Sequence, residues 1–185
     1  TNDAMDTLKF VRPVAYDTLV EINDEMKETV YPYKGTETGL EAKHIAVDKN
    51  GTIWVSLASY TSPSVGIAKV DMDQKEINSF VTLTGLCYQA HIYSSASGDK
   101  IYYLTDNSDE GTEIKTIHVD SKEITTVVKG DGFYGFGISP SGDIYTANIN
   151  GFISNSLLLI YNSNGEQKNK GDLVGVGACR FLFTK

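Results

Sequence analysis

His44-Ile45-Ala46-Val47-Asp48-Lys49-Asn50-Gly51-Thr52-Ile53-Trp54-Val55 reads as an antiparallel hairpin, two apolar strands around a turn that ends on Asn50-Gly51. Both turn residues tolerate the positive φ that a tight hairpin demands. The pattern returns over residues 91–103 and 135–146, where the turns close at Gly98 and Gly142. Each copy also places an aromatic on its second strand, at Trp54, Tyr102 or Tyr145. A second hairpin follows each of these, and its first strand ends on Asp or Asn in 67–71, 114–120 and 157–162, with a further copy at 18–23. An Asp or Asn there can bond its own turn backbone, which explains the residue type without catalysis.

The strand-end markers Asn23, Asp71, Asp120 and Asn162 are spaced by 48, 49 and 42 residues, and the turn glycines Gly51, Gly98 and Gly142 by 47 and 44. A period in the mid-forties with four strands per unit predicts an all-β chain, a β-propeller of four-stranded antiparallel blades. The units run over about 8–40, 41–87, 88–132 and 133–175, with a closing inner strand at 176–183. No amphipathic helix competes, because the nearest candidate, residues 21–33, aligns with strands of the later units. The first unit lacks an inner strand and the chain ends on one. Two arrangements fit: a four-bladed ring closed on itself, or the C-terminal part of a larger propeller completed by further blades.

The 185 residues are 41% hydrophobic and 22% charged, ordinary for a globular domain. With 24 acidic against 16 scattered basic residues and a net charge of −8, the chain has no basic patch for nucleic acid or an anionic membrane surface. No apolar run approaches the ~20 residues that span a bilayer. Cys87 and Cys179 form no metal or redox motif, and both a disulfide and two small buried thiols remain open.

The stretches Gly39-Leu40-Glu41-Ala42-Lys43-His44-Ile45-Ala46-Val47-Asp48-Lys49-Asn50-Gly51-Thr52-Ile53-Trp54-Val55 and Tyr134-Gly135-Phe136-Gly137-Ile138-Ser139-Pro140-Ser141-Gly142-Asp143-Ile144-Tyr145 carry a resemblance. They are similar to the C-terminal half of the YncE-like seven-bladed propellers of Bacteroidetes surface lipoproteins, the group that includes the corrinoid-binding BtuG proteins. The closing Gly-x-x-x-Phe-x-Phe run, Gly177 to Phe183, resembles theirs as well, although Ala178 stands where they usually carry Pro. The resemblance implies an exported protein at the cell surface or in the periplasm. It also implies a small-molecule ligand, a corrinoid or a glycan, and an outer-membrane transporter as partner.

Aligning the repeats places His44, His91, Gly135 and Arg180 at one position of successive inner strands, with Lys43 and Tyr134 just before it. Tyr88, Gln89 and Phe133 fall in the same connections, and Tyr60, Asn148 and Phe152 in loops expected at the same face. Aromatic surface with a few orienting polar groups is the composition of a small-molecule site, so these residues other than Gly135, eleven in all, are the candidate ligand contacts. The plainer alternative is that the histidines bond blade backbone.

His44 and His91 lack a neighbouring Cys or carboxylate at ligand spacing, which argues against a metal, and nothing in the chain calls for a cofactor. The loop Asp106-Asn107-Ser108-Asp109-Glu110-Gly111 superficially resembles a calcium loop but has Ile117 where the twelfth position needs an acid. No nucleophile with an activating base and no phosphate-binding loop is evident. Because the inner-strand positions include no carboxylate, the sequence is read as a binding module and not an enzyme. A propeller enzyme of lyase or lactonase type and an interaction scaffold on an outer-membrane complex are the alternatives.

Overall fold

A computed structural model describes residues 9–10, 18–22, 27–35, 39–59, 65–83, 85–86, 90–107, 111–149, 151–173 and 175–183. Among them every regular element is a strand, and no helix is long and apolar enough to cross a membrane.

The strands form four antiparallel meanders in chain order. The first has three strands, β1 (Lys9–Phe10), β2 (Thr18–Ile22) and β3 (Glu28–Pro32). The second comprises β4 (Glu41–Val47), β5 (Ile53–Ala58), β6 (Gly66–Asp71) and β7 (Glu76–Thr82). The third comprises β8 (Ile92–Ser94), β9 (Lys100–Asn107), β10 (Gly111–His118) and β11 (Ile124–Gly130). The fourth comprises β12 (Phe133–Ile138), β13 (Ile144–Asn148), β14 (Leu157–Tyr161) and β15 (Gln167–Asp172). The edge strands β4, β8 and β12 neighbour one another across successive sheets, the inner edge of a propeller.

Hairpin chemistry fixes the turns. Gly51, Gly98 and Gly142 have φ of 79°, 72° and 86°, and each glycine N–H donates three residues back to the carbonyl of Asp48, Ser95 or Ser139. In the second blade the Asp48 carboxylate organises the turn, accepting the N–H groups of Asn50 (2.8 Å) and Thr52 (3.0 Å) and the indole N–H of Trp54 (2.9 Å). The later blades start this turn with serine and move the acid to its end. Asp99 accepts from Ser95 and Ser97 at 2.7 and 2.6 Å, and Asp143 accepts from Ser141 at 3.4 Å.

The second hairpins behave as their residue types require, with one correction. Asp71 accepts the N–H groups of Asp73 and Gln74, and Asn162 those of Asn164 and Glu166. In the third blade His118 Nδ1 fills this place, accepting from Asp120 (3.4 Å) and Ser121 (3.3 Å), while Asp120 itself pairs with Lys49. Taking His118 as the marker makes the spacings from Asp71 to Asn162 equal to 47 and 44, identical to those of the turn glycines.

Three apolar cores lie between the four sheets. Tyr31, Ile53, Val55 and Leu57 fill the first interface, Trp54, Ile67, Ile101 and Tyr103 the second, and Tyr102, Leu104, Phe136 and Ile144 the third. Neighbouring residues of β5 and of β9 therefore point into different cores. A strand covered on both faces is apolar throughout, which is why Ile53-Trp54-Val55 shows no polar alternation.

Residues 176–183, expected as a closing inner strand, belong to no strand among the described residues. They nevertheless pass against the fourth blade. A Cβ on Gly135 would stand 2.3 Å from the Cys179 backbone, one on Gly137 would meet Phe181, and Tyr145 packs on the rings of Phe181 and Phe183. Cys179 is a free thiol, and Cys87 lies outside the described residues.

Candidate functional site

The inner strands depart from regular geometry at one level. In β4 the pairing shifts between Ala42 and His44, leaving Lys43 as the extra residue; in β12 it shifts between Phe133 and Gly135, leaving Tyr134. In the blade between them the equivalent residue, Ala90, is buried and holds a φ of 48°. A bulge re-aims the side chains that follow it, and a non-glycine residue held at positive φ stores local strain. The second and fourth blades thus bulge, and the third turns through a positive φ, immediately before the positions that the repeat alignment superimposes.

Beyond that break the side chains converge. The rings of His44 and His91 lie 5.2 Å apart, Tyr93 is 5.5 Å from His44 and 6.5 Å from His91, and Phe136 backs Tyr93 edge-on at 4.9 Å. The backbone of His44 is tied to the neighbouring strand through Ser56 Oγ, which accepts from its N–H at 3.1 Å and donates to its carbonyl at 3.3 Å. The imidazole is less fully occupied: Nδ1 of His44 is buried and has no hydrogen-bond partner of good geometry among the described residues.

Electrostatics keep this group uncharged at neutral pH. Burial lowers the pKa of His91 to about 4, helped by the charges of His44 and Arg180 and opposed by a backbone hydrogen bond at Cys179. His44 is lowered mainly by burial as well, with Arg180 adding to the effect and backbone hydrogen bonds at Ile92 and Ile45 opposing it. Burial raises the Tyr93 phenol, so its hydroxyl stays protonated. Arg180 is exposed, and among the described residues it forms no ion pair. Among the described residues no carboxylate acts on His44, His91 or Tyr93.

Of the residues expected from the sequence, His44, His91 and Arg180 come together here. Gly135 explains itself at the same level, because the backbone of Cys179 occupies the space a side chain would need. Tyr134 stacks edge-on with Phe152 at 5.1 Å, and Phe152 is 54% exposed on a backbone with φ of 59°. Lys43 is paired with Glu41 on its own strand. Asn148 donates to the Asp131 carbonyl and lines a separate cleft of about 600 Å³ with Ser154, Asn155, Leu157 and Asp172.

Phe133 requires a correction. It is 4% exposed and packs 6.3 Å from Tyr161 in the third core, because the bulge at Tyr134 reverses the alternation and turns Phe133 inward. Tyr60, Tyr88 and Gln89 lie outside the described residues. Tyr93 was missed by the sequence reading. Its signal was available, since residues two apart on a strand share a face and Tyr93 follows His91 by two. Among the described residues no group of three or more His, Cys, Asp or Glu could hold a metal ion.

No protein-family model matches the chain, and no curated protein matches it by sequence. Solved structures do match its fold. A hydrazine synthase structure from Kuenenia stuttgartiensis aligns with a TM-score of 0.64 at 11% identity, over 84% of this chain and 49% of that one. A gluconolactonase from Xanthomonas campestris aligns at 0.60 and 12% identity, over 88% and 57%. An oligogalacturonate lyase in complex with manganese aligns at 0.58 and 11% identity, over 82% and 43%. The chain spans about half the length of these structures, and at such identities the likeness establishes the β-propeller fold.

The matches also correct the expectation that the chain is not an enzyme. A gluconolactonase and an oligogalacturonate lyase share its fold, so enzymes are among the propellers it resembles, and the lack of an inner-strand carboxylate is no ground for setting catalysis aside.

Proposed function

We propose that the chain captures a small molecule, a corrinoid or a glycan, at the inner-edge cluster formed by His44, His91, Tyr93 and Arg180. Capture would take place at the cell surface or in the periplasm, for hand-over to an outer-membrane transporter. The observation that carries the reading is the convergence of two histidines and a tyrosine at ring separations of 5.2–6.5 Å, just beyond the bulge at Lys43 and the positive-φ turn at Ala90. Rigid aromatic faces give contact area at low entropic cost, and a few polar atoms among them fix orientation. The Tyr134–Phe152 pair adds an exposed aromatic ledge from the next blade. The ligand classes, the transporter and any further blades rest on the resemblance to YncE-like lipoproteins.

A second reading, chemistry on the bound molecule of lyase or lactonase type, is favoured by the unpartnered Nδ1 of His44. A neutral imidazole nitrogen with a vacant lone pair can accept a proton from a ligand seated against it. Burial makes it a weak base until a ligand alters its surroundings.

Calorimetric titration of cobalamins, haem and oligosaccharides into the purified chain, with any further blades, tests capture. His91→Ala or Tyr134→Ala should weaken binding by about 1–3 kcal/mol while the strand circular dichroism is unchanged. Binding of an outer-membrane transporter with no small molecule bound under any condition would replace capture with the scaffold reading. Appearance of a new product in the NMR spectrum of a bound ligand, lost in His44→Gln, would establish the second reading.

A further inference from the structure

The inner-edge cluster has a chemical bias that the chain as a whole does not share. The His44 and His91 rings lie 5.2 Å apart with Tyr93 5.5 Å from His44, and the terminal segment that carries Arg180 passes beside them, the Cys179 backbone filling the space at Gly135. Although the net charge is −8, among the described residues no carboxylate acts on the two imidazoles or on Tyr93, and the one charge common to all three is the Arg180 guanidinium. Elsewhere the described lysines that meet acids are matched: Lys43 with Glu41, Lys49 with Asp120, Lys115 and Lys129 with Glu113, and Lys168 with Asp143. Arg180 is exposed and has no such partner among the described residues. A guanidinium presents a planar fork of donors suited to two oxygens of one carboxylate or phosphate.

We propose that this site selects small molecules bearing an oxyanion, a carboxylate or a phosphate ester, with Arg180 as the selecting charge and the His44–His91 pair as the wall against which the anion rests. The inference rests on the capture reading above and names the chemistry of its ligand. An anion docked there would supply the negative charge the cluster lacks, and it would favour proton uptake by a neighbouring imidazole. Among the described residues the groups facing those imidazoles are Arg180 and the Cys179 backbone from the terminal segment and Tyr93 from β8, while on β4 Glu41 and Lys43 are occupied with each other.

Two matched pairs of probes test it by calorimetry at low ionic strength: galacturonate against galactose, and glucose 6-phosphate against glucose. At least one acid should bind tenfold or more tightly than its neutral counterpart, and which acid does so separates a carboxylate from a phosphate ligand. Arg180→Gln, an exposed substitution, should abolish the difference, and Arg180→Lys should restore part of it. Acid binding should also weaken with added salt and take up protons, so that its heat depends on the ionisation enthalpy of the buffer. Equal affinity for acid and neutral sugar, or a preference unchanged in Arg180→Gln, would overturn the inference and leave capture standing. Binding of only uncharged molecules from the wider panel would do the same, and no binding by any molecule would overturn both.

Discussion

The interface between the second and third blades and the inner edge beside it are built from the same strands but finished differently. Trp54 and Ser56 are two residues apart on β5, opposite Ala46 and His44 on β4, so the two regions are separated by roughly 7 Å of ladder. On the interface side the central polar atom, the Trp54 indole N–H, is matched. Trp54 is fully buried, its indole N–H donates to Asp48, and the ammonium groups of Lys122 and Lys69 stand 4.3 and 4.8 Å from its ring. Burial and the neighbouring Lys69 bring Lys122 down to about 8. On the inner edge a buried histidine nitrogen has no partner, an arginine has no counter-charge among the described residues, and Ala90 is held at positive φ. The Trp54 contacts hold the blades together, whereas the unpaired groups of the inner edge are open to a ligand, as the capture proposal requires.

The largest effect should come from breaking the interface. Trp54→Ala removes the biggest fully buried side chain and leaves a cavity in the second core, for an expected loss of about 3–5 kcal/mol in urea unfolding. A loss below 1 kcal/mol would mean that the blades do not depend on that core. Asp48→Ala should cost less, about 2–3 kcal/mol, because three donors lose one acceptor while the apolar packing remains. Asp48→Asn keeps an acceptor for part of that set and should fall between it and the wild type. Neither substitution at Asp48 should change ligand affinity by more than about twofold if the two regions are energetically separate.

Gly135→Ala crosses from one region to the other. The added methyl would lie 2.3 Å from the Cys179 backbone, so the terminal segment must move away from β12 and carry Arg180 with it. The expected stability loss is about 1–2 kcal/mol, the cost of overpacking at a site that can yield. Ligand affinity, in contrast, should drop tenfold or more. Retention of full affinity would show that the position of residues 178–183 is irrelevant to the site.

These contrasts explain what could be read in advance. The blades were legible because turn chemistry is local: Asn50-Gly51, Ser97-Gly98 and Ser141-Gly142 announce themselves, and β-branched runs on either side supply the strands. His44, His91 and Arg180 were legible because three repeats in register place unusual residues at one level. Phe133 was misjudged because a bulge is silent in sequence, and one extra residue at Tyr134 exchanges the two faces of the strand. Tyr93 was overlooked because tyrosine is an ordinary strand former, and only the approach of His44 from the preceding blade gives it a partner worth noticing. Likewise Asp120 looked like the turn residue when His118 does that work, since a histidine nitrogen can stand in for a carboxylate oxygen as an acceptor.

The smallest effect, and the one that isolates the inner edge most cleanly, is a change in pH dependence. His91 is 7% exposed, and its folded pKa of about 4 lies below its ordinary value of 6.5. Between those values the unfolded chain binds the proton that the folded chain refuses, so acid favours unfolding. The contribution of neutral His91 is fully present above pH 6.5 and is lost as the pH falls from 6.5 towards 4, and lowered His44 acts in the same direction. Urea midpoints measured between pH 7 and 5 avoid most carboxylate titration, because Glu113 and Asp99 are both held below their ordinary values, Glu113 by Lys115 and Lys129 and Asp99 by Ser97 and Ser95. In that window the wild type should lose stability on acidification, and His91→Gln, which cannot charge, should lose less while matching the wild type closely at pH 7. Saturation with an acidic ligand should flatten the wild-type profile in the same way, because a bound anion lifts the penalty on a charged imidazole. Parallel slopes for wild type and His91→Gln would mean that His91 is solvated in the folded chain, and the inner edge would then lose its claim to be an enclosed site.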